Sequence, residues 1–277
     1  MHPAEPILRR LKFKYPVDKI QKLLKLMGEN PDKAAFLSRK WALIRKKIAK
    51  LVHKYNDDAM EEINYLIPYA LSEGANQTIY LLHRKLTPYA QGPPGNIKLD
   101  KKRDIQWLEK KIQTIAMSSC IREEYDPAQM SSDIIAISRN SMQAAAQASL
   151  YGAFDYGAYK AGIDAENNGI AIEKTWLGIM DARIRDSHKH LHNTTIPFDD
   201  VFHGLYGDLR FPHDPMAPPV ETYRCRCRMV IHLAGKKYSA GMVLPSQMSE
   251  YRKWRDRVIR EAGDEVKREA YNRKDHR

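Results

Sequence analysis

Residues 131–162, SSDIIAISRNSMQAAAQASLYGAFDYGAYKAG, limit the fold more than any other segment. Alanine, serine and glycine recur there at helical spacing, and Asp126-Pro127 just upstream suits the start of a helix, where a missing proline N–H costs nothing. A helix with such a face has few long side chains to bury. It can let another helix approach closely, so other long helices are expected to pack on it; a functional groove along that face is the alternative.

Those partners are readable upstream. VDKIQKLLKLMG places Ile20, Leu23, Leu24 and Met27 on one stripe, with Gly28 positioned to end the helix. Asn30 and Pro31 suit the cap and first position of a second helix, expected to reach about Asn56. Along it Leu37, Trp41, Ile44, Ile48, Leu51 and Tyr55 step by three or four, the spacing of a seam held against a partner. Helices are expected over 58–74, where Pro68 divides or kinks the pattern, and over 76–90. QGPPGN at 91–96 is a break, and a helical period resumes over 100–122 with Ile105, Leu108, Ile112 and Ile115.

Near residue 166 the pattern changes. A turn at Asn167–Gly169 leads into alternating apolar residues suited to a strand through Trp176. Residues 193–222 are rich in proline, and RCRCRMVIHL reads as a strand with Cys225 and Cys227 on one face and Arg224, Arg226 and Arg228 on the other. A charged helix from Ser249, with Trp254, Val258, Ala262 and Val266 as a weak stripe, closes the chain. The fold class expected is therefore α+β. It comprises a basic helical region at 1–96, a helical segment at 97–165, a small α+β module at 166–235, and a linker with a charged C-terminal helix at 236–277.

Charge narrows the function. The chain carries a net charge of +12, and residues 1–56 hold fifteen Lys or Arg against four Asp or Glu, a surplus of eleven. Lys33, Arg39, Lys40, Arg45, Lys46, Lys47, Lys50 and Lys54 follow one another with no acidic residue from Lys33 to Asn56. A solvated face ordinarily mixes signs to gain pairs along the helix, so a single-sign run makes these eight residues candidates for contact with a phosphate polymer. A merely solvated face is the alternative. Three cysteines, two of them one residue apart, indicate no disulfide framework. No apolar run approaches the roughly 18 residues of a membrane span, so neither a membrane nor a cleaved signal is expected.

Two constellations could carry chemistry. His188 and His192 lie four apart and share a face if that stretch is helical; with Cys225 and Cys227 they make the four ligands of a closed structural zinc site. Ordinary hydrogen-bonding histidines and inward cysteines are the alternative. Asp181, Arg183, Arg185, His188, His213, Asp214 and Glu221 form a second, overlapping group. Read as metal ligands and bases, they would make a metal-dependent nuclease; read as an Asp–Arg and Glu–Arg network, they would pin a loop-rich module. No Walker loop, dinucleotide fingerprint, nucleophile elbow or His-Glu-x-x-His motif is present.

The ordered set of Trp176, Asp181-x-Arg183-x-Arg185-x-x-His188, PHDP at 212–215, Glu221 and Cys225-Arg226-Cys227 resembles the Mu F-like family of minor head morphogenesis proteins of tailed phages. Arg139, the small-residue helix and Gly162 resemble the helix leading into that module. The chain departs from many relatives where Arg185 and His188 replace two cysteines and Asn140-Ser141 replaces Thr-Glu. The resemblance implies a non-enzymatic component of the virion, inside the head and assembled in the bacterial cytoplasm. It implies association with the portal protein and other head proteins, and contact with packaged double-stranded DNA. It also implies that Trp176, Asp181, Arg183, Arg185, His188, Glu221 and Arg226 form the module's structural network.

Overall fold

A computed structural model describes residues 2–29, 31–82, 95–122, 125–236, 238, 248–257 and 260. The chain is mainly helical with small antiparallel sheets, an α+β fold. Its helices are α1 (Glu5–Leu8), α2 (Val17–Lys25), α3 (Arg39–Leu82), α4 (Lys101–Ile121), α5 (Pro127–Asn167), α6 (Asp186–Lys189) and α7 (Pro219–Thr222). The strands are β1 (Ile172–Leu177), β2 (Thr195–Pro197), β3 (Phe202–His203), β4 (Asp208–Leu209) and β5 (Arg228–Leu233).

Two compact units result, and neither is continuous in sequence. One holds residues 11–65 and 96–146; the other holds 1–10, 66–95 and 147–277. The divisions expected near 96 and 165 follow chain order, whereas α3 and α5 each contribute to both units.

In the unit of 11–65 and 96–146, Ile20 and Leu24 of α2, Trp41, Ile44, Ile48 and Val52 of α3, Leu108 and Ile112 of α4, and Ile134 of α5 form one buried cluster. The seam on α3 therefore packs as its spacing predicts, except that Leu37 is 69% exposed. Leu37 lies in a short 3-10 turn, Ala35–Leu37, ahead of the helix. The start of α3 is set later than expected, because extended Ser38 accepts the Trp41 N–H on its hydroxyl at 3.2 Å. Asp32 instead accepts the Ala35 N–H at 2.7 Å and caps the 3-10 turn. The separate helices expected over 58–74 and 76–90 are one: α3 runs unbroken through Pro68 to Leu82. Asp100 caps α4 through the Arg103 N–H at 3.0 Å, and Asp126 accepts the Ala128 N–H ahead of Pro127 in α5.

The other unit is built on the close approach that the small residues of α5 promised. A Cβ on Gly74 would lie 1.9 Å from the Phe154 carbonyl oxygen, and a Cβ on Gly157 would lie 2.0 Å from that of Leu71. Each helix thus offers a glycine to the other's backbone. On the far side of α5, Gly162 leaves room for the Phe198 ring, which a Cβ would meet at 2.3 Å. The sheet, ordered β2-β1-β5 and antiparallel throughout, pairs Trp176 with Met229 and Thr175 with both Val230 and Thr195. Trp176, Phe198, Phe202, Phe211, Cys225, Cys227 and Ile231 share one core with Ala158 and Ala165 of α5. Lys174 is 1% exposed; its ammonium donates to the Arg210 carbonyl at 3.0 Å among the rings of Tyr159, Phe198 and Phe202, and burial draws its pKa down to about 8.

The terminal helical residues 249–257 dock in part: Tyr251 is fully buried, and Trp254 packs on Ala75, Ile79 and Ala161. Val258, Ala262 and Val266 lie outside the described residues.

Gly74→Ala and Gly157→Ala are each expected to destabilise the chain by about 1–3 kcal/mol, since the facing atom is backbone and cannot rotate away. Urea unfolding of the two variants against the parent checks this.

Candidate functional site

Glu221 is the centre of the module that follows α5. Pro218 and Pro219 start the single-turn α7 and place its side chain inward, fully buried. One carboxylate oxygen accepts the Tyr206 N–H at 2.9 Å; the other accepts the Ser187 hydroxyl at 2.9 Å and lies 3.0 Å from His188 Nε2. Burial alone would raise this carboxyl's pKa, but the Tyr206, Ser187 and His188 contacts outweigh it and hold the group below the usual range. Gly204 makes the arrangement possible, because a Cβ there would meet the carboxylate at 2.8 Å. Arg185 donates to the Glu221 backbone carbonyl at 3.1 Å, so of the expected Glu–Arg pair only a main-chain contact is seen.

His188 turns its other nitrogen toward sulfur. Nδ1 lies 3.4 Å from Cys227 Sγ and 3.7 Å from Cys225 Sγ, and all three residues are 2–3% exposed. The Cys227 N–H points at Cys225 Sγ at 3.4 Å. The Cys227 thiol is drawn down to about 5 by the Cys225 hydrogen bond, with His188 and Trp176 assisting. Burial and the adjacent Cys227 push Cys225 up. Thiol, imidazole and carboxylate stand in the order of a nucleophilic triad, but buried sulfur offers a substrate no approach. The same set suits a soft metal ion, with two sulfurs and one nitrogen converging.

His192 stands apart from this trio. The α6 turn ends at Lys189, so His188 and His192 are not on one continuous helical face, and His192 Nδ1 accepts the Gly178 N–H at 3.1 Å. The strand expected through the cysteines also begins later, at Arg228; Arg224 has a left-handed backbone, φ 52°. The cysteines nonetheless point inward and Arg226 outward. Arg228, expected on the outer face, is 8% exposed instead, with one guanidinium nitrogen lacking a partner among the described residues.

Arg226 meets Asp181 in a bidentate pair at 2.7 and 2.6 Å, and the Arg183 N–H adds a third bond at 3.0 Å. The Arg226 hydrogen bonds hold the Asp181 carboxyl far below its ordinary range. Asp214 is likewise taken by Arg210, at 2.6 and 2.8 Å. The carboxylates that a metal-dependent nuclease would need are thus separated from one another and paired with arginine or histidine. Trp176 stacks edge-on against His188, their ring centroids 5.3 Å apart, which joins the tryptophan to the Glu221 side of the network.

One buried group escaped the sequence reading. Asp155, fully buried on α5, lies 2.8 Å from His213 Nδ1 and 3.7 Å from His2 Nε2. His213 Nε2 bonds the Cys225 carbonyl at 2.8 Å, and this anchoring holds its backbone at φ 63°. The available signal was a lone carboxylate in an otherwise apolar, aromatic stretch, LYGAFDYGAY; nothing near His2 marks it as a partner. Burial alone would raise the Asp155 pKa, but the contacts with His2 and His213 outweigh it, and the net direction is downward.

The basic run forms a face. Arg39, Lys40, Lys46, Lys47, Lys50 and Lys54 are exposed and fall within about 120° of the α3 circumference. None of them is ion-paired among the described residues. Lys33 is exposed just ahead of the helix. Arg45 does not belong to this face: with the Trp41 indole N–H it donates to Gln113 Oε1 on α4. The same exposed arc then changes sign at Asp57, Asp58, Glu61 and Glu62.

Burial holds the His2 imidazole at about 4, below the ordinary 6.5. Its contribution to stability is therefore present above pH 6.5 and lost as the pH falls toward 4, at up to about 1.4 kcal/mol per pH unit where only the unfolded chain takes the proton. Urea midpoints measured from pH 7 to pH 5 should fall less steeply in His2→Gln than in the parent. Glu221→Ala, which strands Ser187, His188 and the Tyr206 N–H, should cost about 3 kcal/mol in the same assay at pH 7.

Residues 105–230, a little under half of the chain, match the family described as Phage Mu protein F like protein. No curated protein and no solved structure matches the chain. The matched span runs from α4 to β5 and contains Trp176, the Asp181–Arg226 pair, and Glu221 with His188 and both inward cysteines. Over residues 105–230 the chain is therefore similar to the family described as Phage Mu protein F like protein, a likeness consistent with a head morphogenesis protein.

Proposed function

We propose that this protein is a minor head component of a tailed phage that associates with the portal inside the procapsid and lies against packaged DNA through the exposed basic face of α3. The family match supports a role in building the head. The DNA contact rests on one observation: six exposed cations on one helical arc with no acidic partner among the described residues. Such a row weakens the helix by self-repulsion unless an anion lies nearby, and a DNA-filled shell supplies a dense phosphate array. The committed carboxylates of the module support a structural rather than a hydrolytic role.

Duplex binding by fluorescence anisotropy across a salt series tests the DNA contact. Charge reversal at Lys46, Lys47, Lys50 and Lys54 should abolish most salt-sensitive binding; removing one of these lysines should flatten the log–log salt slope by about 0.9 if it meets one phosphate. Unchanged binding in the quadruple variant would reject the face. Co-expression with the portal protein encoded in the same genome, followed by size-exclusion chromatography with mass detection, tests the portal association. Co-elution is expected, and separate elution at low salt with assembled portal rings would refute it.

A further inference from the structure

We infer that His188, Cys225 and Cys227 are the three protein ligands of a zinc ion that fastens the loop-rich part of the module. The inference is independent of portal and DNA binding.

Geometry carries it. Zinc–sulfur bonds of about 2.3 Å and zinc–nitrogen bonds of about 2.0–2.1 Å, opened to a tetrahedral angle, set sulfur and nitrogen about 3.5 Å apart. The two sulfurs lie 3.4 and 3.7 Å from His188 Nδ1, and all three ligand atoms fall within 4.8 Å of one another. An ion at their centre needs little movement of any of them.

The surroundings fit as closely. A ligating histidine ordinarily gives its other ring N–H to a carboxylate, which fixes the tautomer and aims the lone pair. His188 Nε2 stands 3.0 Å from Glu221, whose own position is fixed by Ser187 and the Tyr206 N–H. Nδ1 is thereby left with its lone pair facing the sulfurs. The Cys227 N–H directed at Cys225 Sγ favours a thiolate there; both cysteines would bind the ion as thiolates, any proton still held on sulfur passing to solvent.

The second buried cluster, His2, Asp155 and His213, does not compete. His213 meets an acceptor at each ring nitrogen, Asp155 at one and the Cys225 carbonyl at the other, so it has no lone pair for a cation. His192 is also outside the set, since its Nδ1 is engaged by the Gly178 N–H. Among the described residues no fourth side chain joins the three.

Such an ion would link α6 to the segment ahead of β5 across more than thirty residues whose only regular elements are two- and three-residue strands and one helical turn. Stretches with so little regular structure are where a metal cross-link contributes most to folding.

The test uses the full chain, produced with zinc and purified under reducing, chelator-free conditions. Elemental analysis should find about one zinc per chain. Cobalt added to chelator-treated protein should give the intense visible bands of a tetrahedral ion and a sulfur-to-cobalt charge-transfer band. Cys227→Ser and His188→Ala should lose both, whereas Cys120→Ser and His192→Ala should keep both. Glu221→Gln, a change at a positioning residue, should weaken zinc affinity about 10–100-fold. Because ligand variants can misfold, the parent decides: a folded parent, verified by circular dichroism, with no stoichiometric zinc and no charge-transfer band would overturn the inference. Loss of metal in His192→Ala would overturn the three-ligand assignment.

Discussion

The contact between the backbones of α3 and α5 is the constraint on which the second unit rests. Because Gly74 faces the Phe154 carbonyl and Gly157 faces that of Leu71, the two helices meet at a separation that no side chain could bridge. Asp155, next in sequence to Phe154, is buried against His213 and His2. From Asp155 the order passes to His213, and from His213 to the Cys225 carbonyl, which also accepts from Gln147 at 3.0 Å. The turn that aims both sulfurs inward is thus tied back to α5 through the side chains of Asp155, His213 and Gln147.

Beyond that turn the module has few long elements from which to build a core. Its strands β2, β3 and β4 are two or three residues long, and α6 and α7 are single turns. Polar hubs take over the role that helix packing plays elsewhere. Glu221 ties α7 to α6 and to the loop at Tyr206, Asp214 closes its own loop through Arg210, and Asp181 ties the segment after β1 to Arg226. Burying Glu221 costs desolvation, which is offset by several donors, whereas Asp214 and the half-exposed Asp181 are each held chiefly by one arginine.

How much of this was legible follows from how local the determinants are. The buried stripes of α2 and α4, the seam from Trp41 to Ile48 and the close-packing face of α5 follow from spacing alone. Boundaries set by a single hydrogen bond did not. Ser38 caps α3, later than expected, since serine is a good cap wherever the fold selects it; Asn30 lies outside the described residues. Inward cysteines were readable from alternation, yet Arg228 shares that alternation and is buried, because β5 is covered on both faces. Of the proposed ligands, His188, Cys225 and Cys227 converge and His192 does not, a distinction that depends on where one short helical turn ends. Asp155 and His2 lie 153 positions apart in sequence. No pattern within a window could join them.

The reversal of charge along α3 has a mechanical consequence. Its exposed arc is positive from Arg39 to Lys54, about 24 Å of helix, and negative from Asp57 to Glu62. A rod charged in this way has a side-chain dipole of its own, and near any polyanion it feels a torque as well as an attraction. The leading four turns are drawn in while the following turns are pushed off. Taken by itself, a helix charged in this order would be drawn to such a surface leading end first, the attraction ending where the sign changes. Orientation, and not affinity alone, is written into the order of its charges.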